Sequence, residues 1–135
     1  MRGRPSYWVL DTGALMAYAH GAETVGQRLV HVSEAEGVAL IPTVCLLEAY
    51  SLLDYDETEM LRVLRGLPAV ETVAPAIDVA KADDCPHIGG MARRAGRLGA
   101  GHAAFVALTS AAGVVTSRPD QIRTLLGEEW IVEEV

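Results

Sequence analysis

The chain has 135 residues, half of them hydrophobic, with eighteen acids against eleven bases and a formal charge of −7. That length is one domain by the usual range of roughly 100–200 residues, and the apolar content excludes wholesale disorder. No apolar run approaches the ~18–20 residues that span a bilayer, no signal peptide is read at the N-terminus, and the negative balance argues against a protein that coats nucleic acid non-specifically.

In chain order, Tyr7–Leu10 is a short apolar run that ends at Asp11 and reads as a buried strand. A helix follows from Thr12 to Ala19. Val25, Leu29 and Val32 mark the next one, which ends by Gly37. Val38–Ile41 is a second buried strand, and Thr43 is placed to cap a helix running to Leu53. Asp56 and Glu59 resemble a capping box ahead of a helix lined by Met60, Leu61, Leu64 and Leu67. Val70–Val73 gives a third strand, and Pro75 suits the first turn of a helix through Ile77 and Ala80. Gly89 and Gly90 break the chain before a helix over Met91–Leu98; Gly99 and Gly101 stop that one, and a new helix starts near His102. Val114–Thr116 is a fourth strand, Pro119 opens a short helix, and Trp130–Val132 is a fifth strand.

Strands alternating with helices from end to end predict an α/β fold, a three-layer α/β/α sandwich around a mainly parallel sheet. It is read as one domain over 1–135, with 1–6 a flexible N-terminus. Ligands of such sheets sit beyond the carboxyl ends of the strands, where Asp11 and the Thr116-Ser117-Arg118 segment emerge. Glu48 lies in an otherwise apolar helical stretch, Val44–Tyr50, where a carboxylate is costly unless paired or metal-bound. The plain alternatives are a helix cap for Asp11 and a solvent-facing position for Glu48. Cys45 and Cys85 match no metal or redox spacing and read as free thiols. The basic residues are ten arginines and one lysine, a bias that points to a GC-rich, bacterial genome.

Three segments, Val9–Leu15, Ile41–Ala49 and Gly113–Ser117, resemble in order the blocks of PIN-domain proteins, the fold of VapC toxins. The resemblance covers roughly 7–132. It implies a pocket of three or four acids holding Mg2+ or Mn2+ and cleaving RNA, a cytoplasmic location, a homodimer and a small antitoxin as protein partner. Asp11 and Glu48 carry over as metal ligands, with Thr12, Thr116 and Ser117 beside them. Two positions depart from the pattern. Where the family's third acid opens the helix before the last strand, this chain is aligned at His102; where the fourth follows the strand's Thr-Ser, it has Arg118.

A hard cation prefers oxygen ligands, so these replacements count against Mg2+ or Mn2+. Arg118 is placed to fork onto Asp11 or Glu48 as an internal counter-ion. His102 is open to three roles: a neutral hydrogen-bonded residue, a ligand for a softer ion, or a general base. Arg93, Arg94 and Arg97 are either a solvated helix face or a phosphate-contact patch, which Arg62 and Arg65 could extend. Asp83, Asp84 and His87 read as a polar loop. The leading expectation is a degenerate PIN-like protein with weak or no nuclease activity that binds nucleic acid or a protein partner. The rivals are an active VapC-like endoribonuclease of a toxin–antitoxin pair, and a plain dimerisation or antitoxin-docking module.

Overall fold

In a computed structural model, the structure describes residues 5–78 and 80–135. Most of the segment read as a flexible N-terminus, 1–4, lies outside them. The elements are β1 (Tyr7–Leu10), α1 (Thr12–Ala19), α2 (Glu23–Glu34), β2 (Val38–Pro42), α3 (Thr43–Leu52), α4 (Tyr55–Arg65), β3 (Val70–Val73), β4 (Ile77–Asp78), β5 (Ala82–Asp83), α5 (Cys85–Ala95), α6 (Leu98–Ser110), β6 (Gly113–Thr116), α7 (Pro119–Leu126) and β7 (Val132–Glu134).

Five strands form one parallel sheet in the order β3-β2-β1-β6-β7. Successive residues of a strand face opposite sides. Val9 and Leu10 in β1, Leu40 and Ile41 in β2, and Val114 and Val115 in β6 are all buried, so both faces are covered by helices. The three-layer sandwich expected from the sequence is the observed architecture. β1 sits at the centre, where the chain's path across the sheet reverses between β2 and β6, and that reversal opens a crevice at the carboxyl edge. At the flank, the Arg28 guanidinium lies 5.2 Å from the Trp8 ring centroid and reaches Glu133 at 3.1 Å, tying α2 to β7.

Four local expectations are corrected. The helix predicted from Pro75 is instead the β4–β5 hairpin. Its ends are stapled by Asp84, whose carboxylate accepts from the Ala76 N–H at 2.7 Å while its own N–H donates to the Ala76 carbonyl at 2.8 Å. Gly89 and Gly90 lie inside α5. Gly99 and Gly101 lie inside α6. The break between these helices is Gly96, left-handed at φ 80°, a conformation that favours glycine at a helix end. Gly101 is small for a different reason: a Cβ there would come within 2.6 Å of the Ala92 backbone nitrogen and within 2.7 Å of the Ile88 carbonyl oxygen. The two helices meet backbone to backbone, which bulkier residues would forbid.

The capping box is displaced by two residues. The Glu57 carboxylate accepts from the Asp54 N–H at 2.9 Å, so α4 starts at Tyr55 and ends before Leu67. Thr43 is the first residue of α3, and the cap position belongs to Pro42, which offers no side-chain acceptor.

The close α5–α6 contact sets a paired test by thermal melting. Gly101→Ala should cost about 1–3 kcal/mol through overpacking against backbone. Gly90→Ala, at an exposed helical position with nothing within 4 Å of the new methyl, should stabilise by about 0.5–1 kcal/mol.

Candidate functional site

Asp11 is the first residue beyond β1 and the N-cap of α1. Its carboxylate accepts from the Ala14 N–H at 3.0 Å, and its own N–H donates to the Val115 carbonyl across the sheet. The Thr116 hydroxyl at the end of β6 also bonds the carboxylate and accepts the Arg118 N–H at 2.9 Å. The helix-cap reading of this acid is therefore realised. Burial raises the Asp11 pKa above its ordinary value. Hydrogen bonds from Thr116 and Ala14 and the Arg97 charge work against that rise without cancelling it.

Glu48 comes from the middle of α3. One of its oxygens, Oε1, accepts the Thr12 hydroxyl at 2.7 Å and the Arg97 guanidinium at 3.3 Å. Thr12 thus joins the acid on α3 to the segment that carries Asp11. Thr12, Glu48, Arg97 and Ser117 line an open cleft of about 570 Å3, together with Met16 and Leu52. Ser117 lies directly over Gly13, where a Cβ would collide with its hydroxyl.

Neither of the two positions expected to replace acids lines the cleft. Arg118 is the N-cap of α7 and exposed, and its side chain makes no ion pair with a described residue. The cation that reaches the acids is Arg97, at the start of α6. Because α6 begins at Leu98, His102 sits a turn inside it rather than at its N-terminus. The residue of the first turn that faces the acids is Gly99. A Cβ on Gly99 would collide with the Glu48 carboxylate and lie 2.7 Å from the Thr12 hydroxyl. Sequence reasoning missed Gly99 because two small residues in a row of glycines resembled a helix stop.

His102 is buried, and its Nδ1 accepts the Val44 N–H at 3.3 Å. Val44 lies in the first turn of α3, whose amides lack a side-chain cap from Pro42. The imidazole supplies that acceptor from a neighbouring helix, which requires the neutral ring with its proton on Nε2. Burial pushes the His102 pKa down to about 4, against a weaker opposing pull from Asp84. Its neutrality comes from burial rather than from a helix terminus. Since α3 carries Glu48, His102 braces the helix that presents an acid without reaching the cleft itself.

Cys45, read from the sequence as a free thiol, is one, and it lies beside the acids. Its thiol donates to the Gly99 carbonyl at 3.1 Å. Burial, followed by the Asp11 charge, pushes its pKa up to about 12, so it stays protonated beside the acids. Arg93 and Arg97 line one shallow groove, while Arg94 turns away and donates to the Thr124 carbonyl at 3.2 Å. The three arginines do not form one helix face, because α5 ends at Ala95. Asp83 and Asp84 serve the hairpin and the start of α5.

The architecture is a VapC-like PIN fold. Among solved structures, VapBC2 from Rickettsia felis, bound to a DNA fragment from their promoter, is similar with a TM-score of 0.62 and 16% identity over 96% of this chain and 98% of that one. PAE2754 from Pyrobaculum aerophilum is similar with a TM-score of 0.53 and 18% identity over 93% and 90%. No protein-family model and no curated protein matches the sequence. No helix among the described residues is long and apolar enough to cross a membrane.

Two outcomes follow. A carboxylate with a raised pKa costs stability once pH exceeds its ordinary value of 3.8. Asp11→Asn keeps an acceptor for Ala14 and removes the buried charge, so it should raise Tm at pH 7 by about 3–4 °C, with the gain vanishing towards pH 3–4. His102 has the opposite sign. Its lowered pKa means the unfolded chain binds the proton first, so stability is lost as pH falls from about 6.5 towards about 4. His102→Asn, which keeps an acceptor and does not titrate, should flatten that part of the stability–pH curve in urea denaturation.

Proposed function

We propose that this chain is a PIN-fold protein that has exchanged metal-dependent RNA cleavage for binding. The observation carrying this reading is the Arg97 guanidinium on Glu48 with Gly99 opposite. A Mg2+ or Mn2+ site in this fold requires several free carboxylate oxygens. Here Asp11 is buried and engaged by Ala14 and Thr116, Glu48 shares one oxygen between Thr12 and Arg97, and the facing position has no side chain. No group of three His, Cys, Asp or Glu able to hold a metal occurs among the described residues. The donor set does not fit a hard divalent cation, and no catalytic step is assigned to one.

For binding, two partners are in view. A small antitoxin is supported by the toxin–antitoxin complex among the structural neighbours, and a homodimer goes with it. RNA is supported by charge placement: residues 85–127 hold five arginines against Asp120 alone, net +4 in a chain of −7. Arg93 and Arg97 share a groove, and the exposed Ser117 and Arg118 follow β6 at the carboxyl edge, so phosphate contacts belong there, while the Thr12 and Thr116 hydroxyls are buried and engaged within the chain. The second reading, an active endoribonuclease, is favoured by Asp11 and Glu48 still being joined through Thr12.

Incubation of RNA with the protein and Mg2+ or Mn2+ separates the two. The expected result is no cleavage above buffer; cleavage abolished by Glu48→Gln would sink the binding-only reading. Filter binding of RNA at low and high salt should show a steep decline, and Arg93→Ala should weaken it with a shallower salt slope. A flat salt response would move the reading to a protein partner.

A further inference from the structure

We propose that the open edge of β3 and the groove beside it form the self-association face of this chain: two copies align β3 with β3, antiparallel about a two-fold axis, and Arg65 of each meets Glu71 of the other. This gives a face to the homodimer in the reading above and rests on that part of the reading alone, not on the chemistry of the cleft.

β3 ends the sheet and has β2 on one side only. The Ala69 carbonyl accepts the Ala39 N–H at 2.8 Å, and the register then runs unbroken from Val70 to Val73. The polar groups of successive strand residues point to opposite edges. Ala69, Glu71 and Val73 therefore bond β2, while Val70 and Thr72 turn outwards. The Val70 N–H is satisfied by the Leu67 carbonyl at 3.1 Å. Thr72, at an exposed position, is left with a donor and an acceptor facing away from the sheet, which is what an added strand uses. No proline, lysine or bulge within β3 blocks the approach. Antiparallel pairing centred on Thr72 gives its N–H the Thr72 carbonyl of the second copy and returns the same bond.

The side chains select the strand that fits. Arg62, Arg65, Gly66, Val70, Glu71 and Thr72 line an open groove of about 560 Å3 along this edge. Arg62 is taken by Glu59 at 3.0 Å. Arg65 and Glu71 are both exposed and share the groove, yet neither makes an ion pair with any described residue. A two-fold axis pairs them twice, because in an isologous interface residue i meets j and j meets i. A phosphate chain or an acidic peptide would meet Glu71 and the carbonyl end of α4, both of the wrong sign. A basic peptide would meet two arginines. The opposite edge, β7, offers one sign: its Glu133 already holds Arg28, and Glu134 follows. A four-residue strand and one helical turn make a small interface, so the dimer is weak and depends on concentration.

Sedimentation velocity on the full chain, from low micromolar to submillimolar protein, tests this. The wild type should pass from monomer to dimer and stop there. Thr72→Pro removes an outward donor and spares the bonds to β2. Arg65→Glu sets acid against acid twice. Each should raise the dimer dissociation constant by about tenfold or more. The exchange Arg65→Glu/Glu71→Arg should return it to within about threefold of the wild type. Circular dichroism follows the fold, and if Thr72→Pro does not fold, the charge variants decide alone. The proposal is overturned if the wild type stays monomeric throughout, if either folded variant dimerises like the wild type, or if the exchange fails to restore the dimer. Growth of the wild type beyond a dimer also overturns it, since β3 then meets β7 head to tail. A dimer untouched by these variants removes this face and leaves the homodimer standing; a monomeric wild type removes both. RNA and antitoxin binding are read separately, by filter binding.

Discussion

The Asp11 carboxylate is buried at the end of the central strand, and much of the carboxyl edge is arranged around that constraint. A charge removed from water must be met by donors in fixed places. The first turn of α1 supplies one, and Thr116 supplies another from the neighbouring strand. Thr116 then accepts from Arg118, so the same hydroxyl fixes the start of α7. Thr12 carries the arrangement sideways to Glu48 and thus to α3. Four separate elements are positioned by hydrogen bonds within two steps of one carboxylate.

The second determinant is smallness. α6 approaches its neighbours at two glycines with different consequences. Gly101 lets its backbone lie against α5, which is a packing requirement. Gly99 leaves space in front of Glu48, whose carboxylate pairs with Arg97. The stretch from α5 to α7 is net basic, while the excess acid lies in the rest of the chain.

The inner strands of the sheet were legible because buried parallel strands read as short apolar runs: Tyr7–Leu10 and Val38–Ile41 fall within a residue of their observed limits. Of the two edge strands, both of which carry charge, Val70–Val73 was placed correctly and the other is shifted to Val132–Glu134. Asp11 and Glu48 were legible as acids set in apolar surroundings. Gly99 was not, because an absent side chain has no sequence signature beyond a glycine, and glycines inside α5 and α6 look like breaks when the facing backbone is unknown. The identity of the paired arginine was equally hidden. Arg118 is adjacent to the pocket in sequence, but Arg97 reaches it through the corner at Gly96. Likewise His102 caps a helix 58 residues away in sequence, a contact no local pattern announces.

The contrast between the two thiols has a practical consequence. Cys45 is sealed between the acids and the Gly99 carbonyl, with its proton held tightly; Cys85 is exposed at the first turn of α5. A thiol-reactive dye added to the native protein therefore meets one nucleophile, since reaction needs an accessible thiolate. The unmodified sequence carries a single attachment point beside the β4–β5 hairpin and away from the cleft lining, from which a fluorophore can report partner docking by anisotropy without any engineered cysteine.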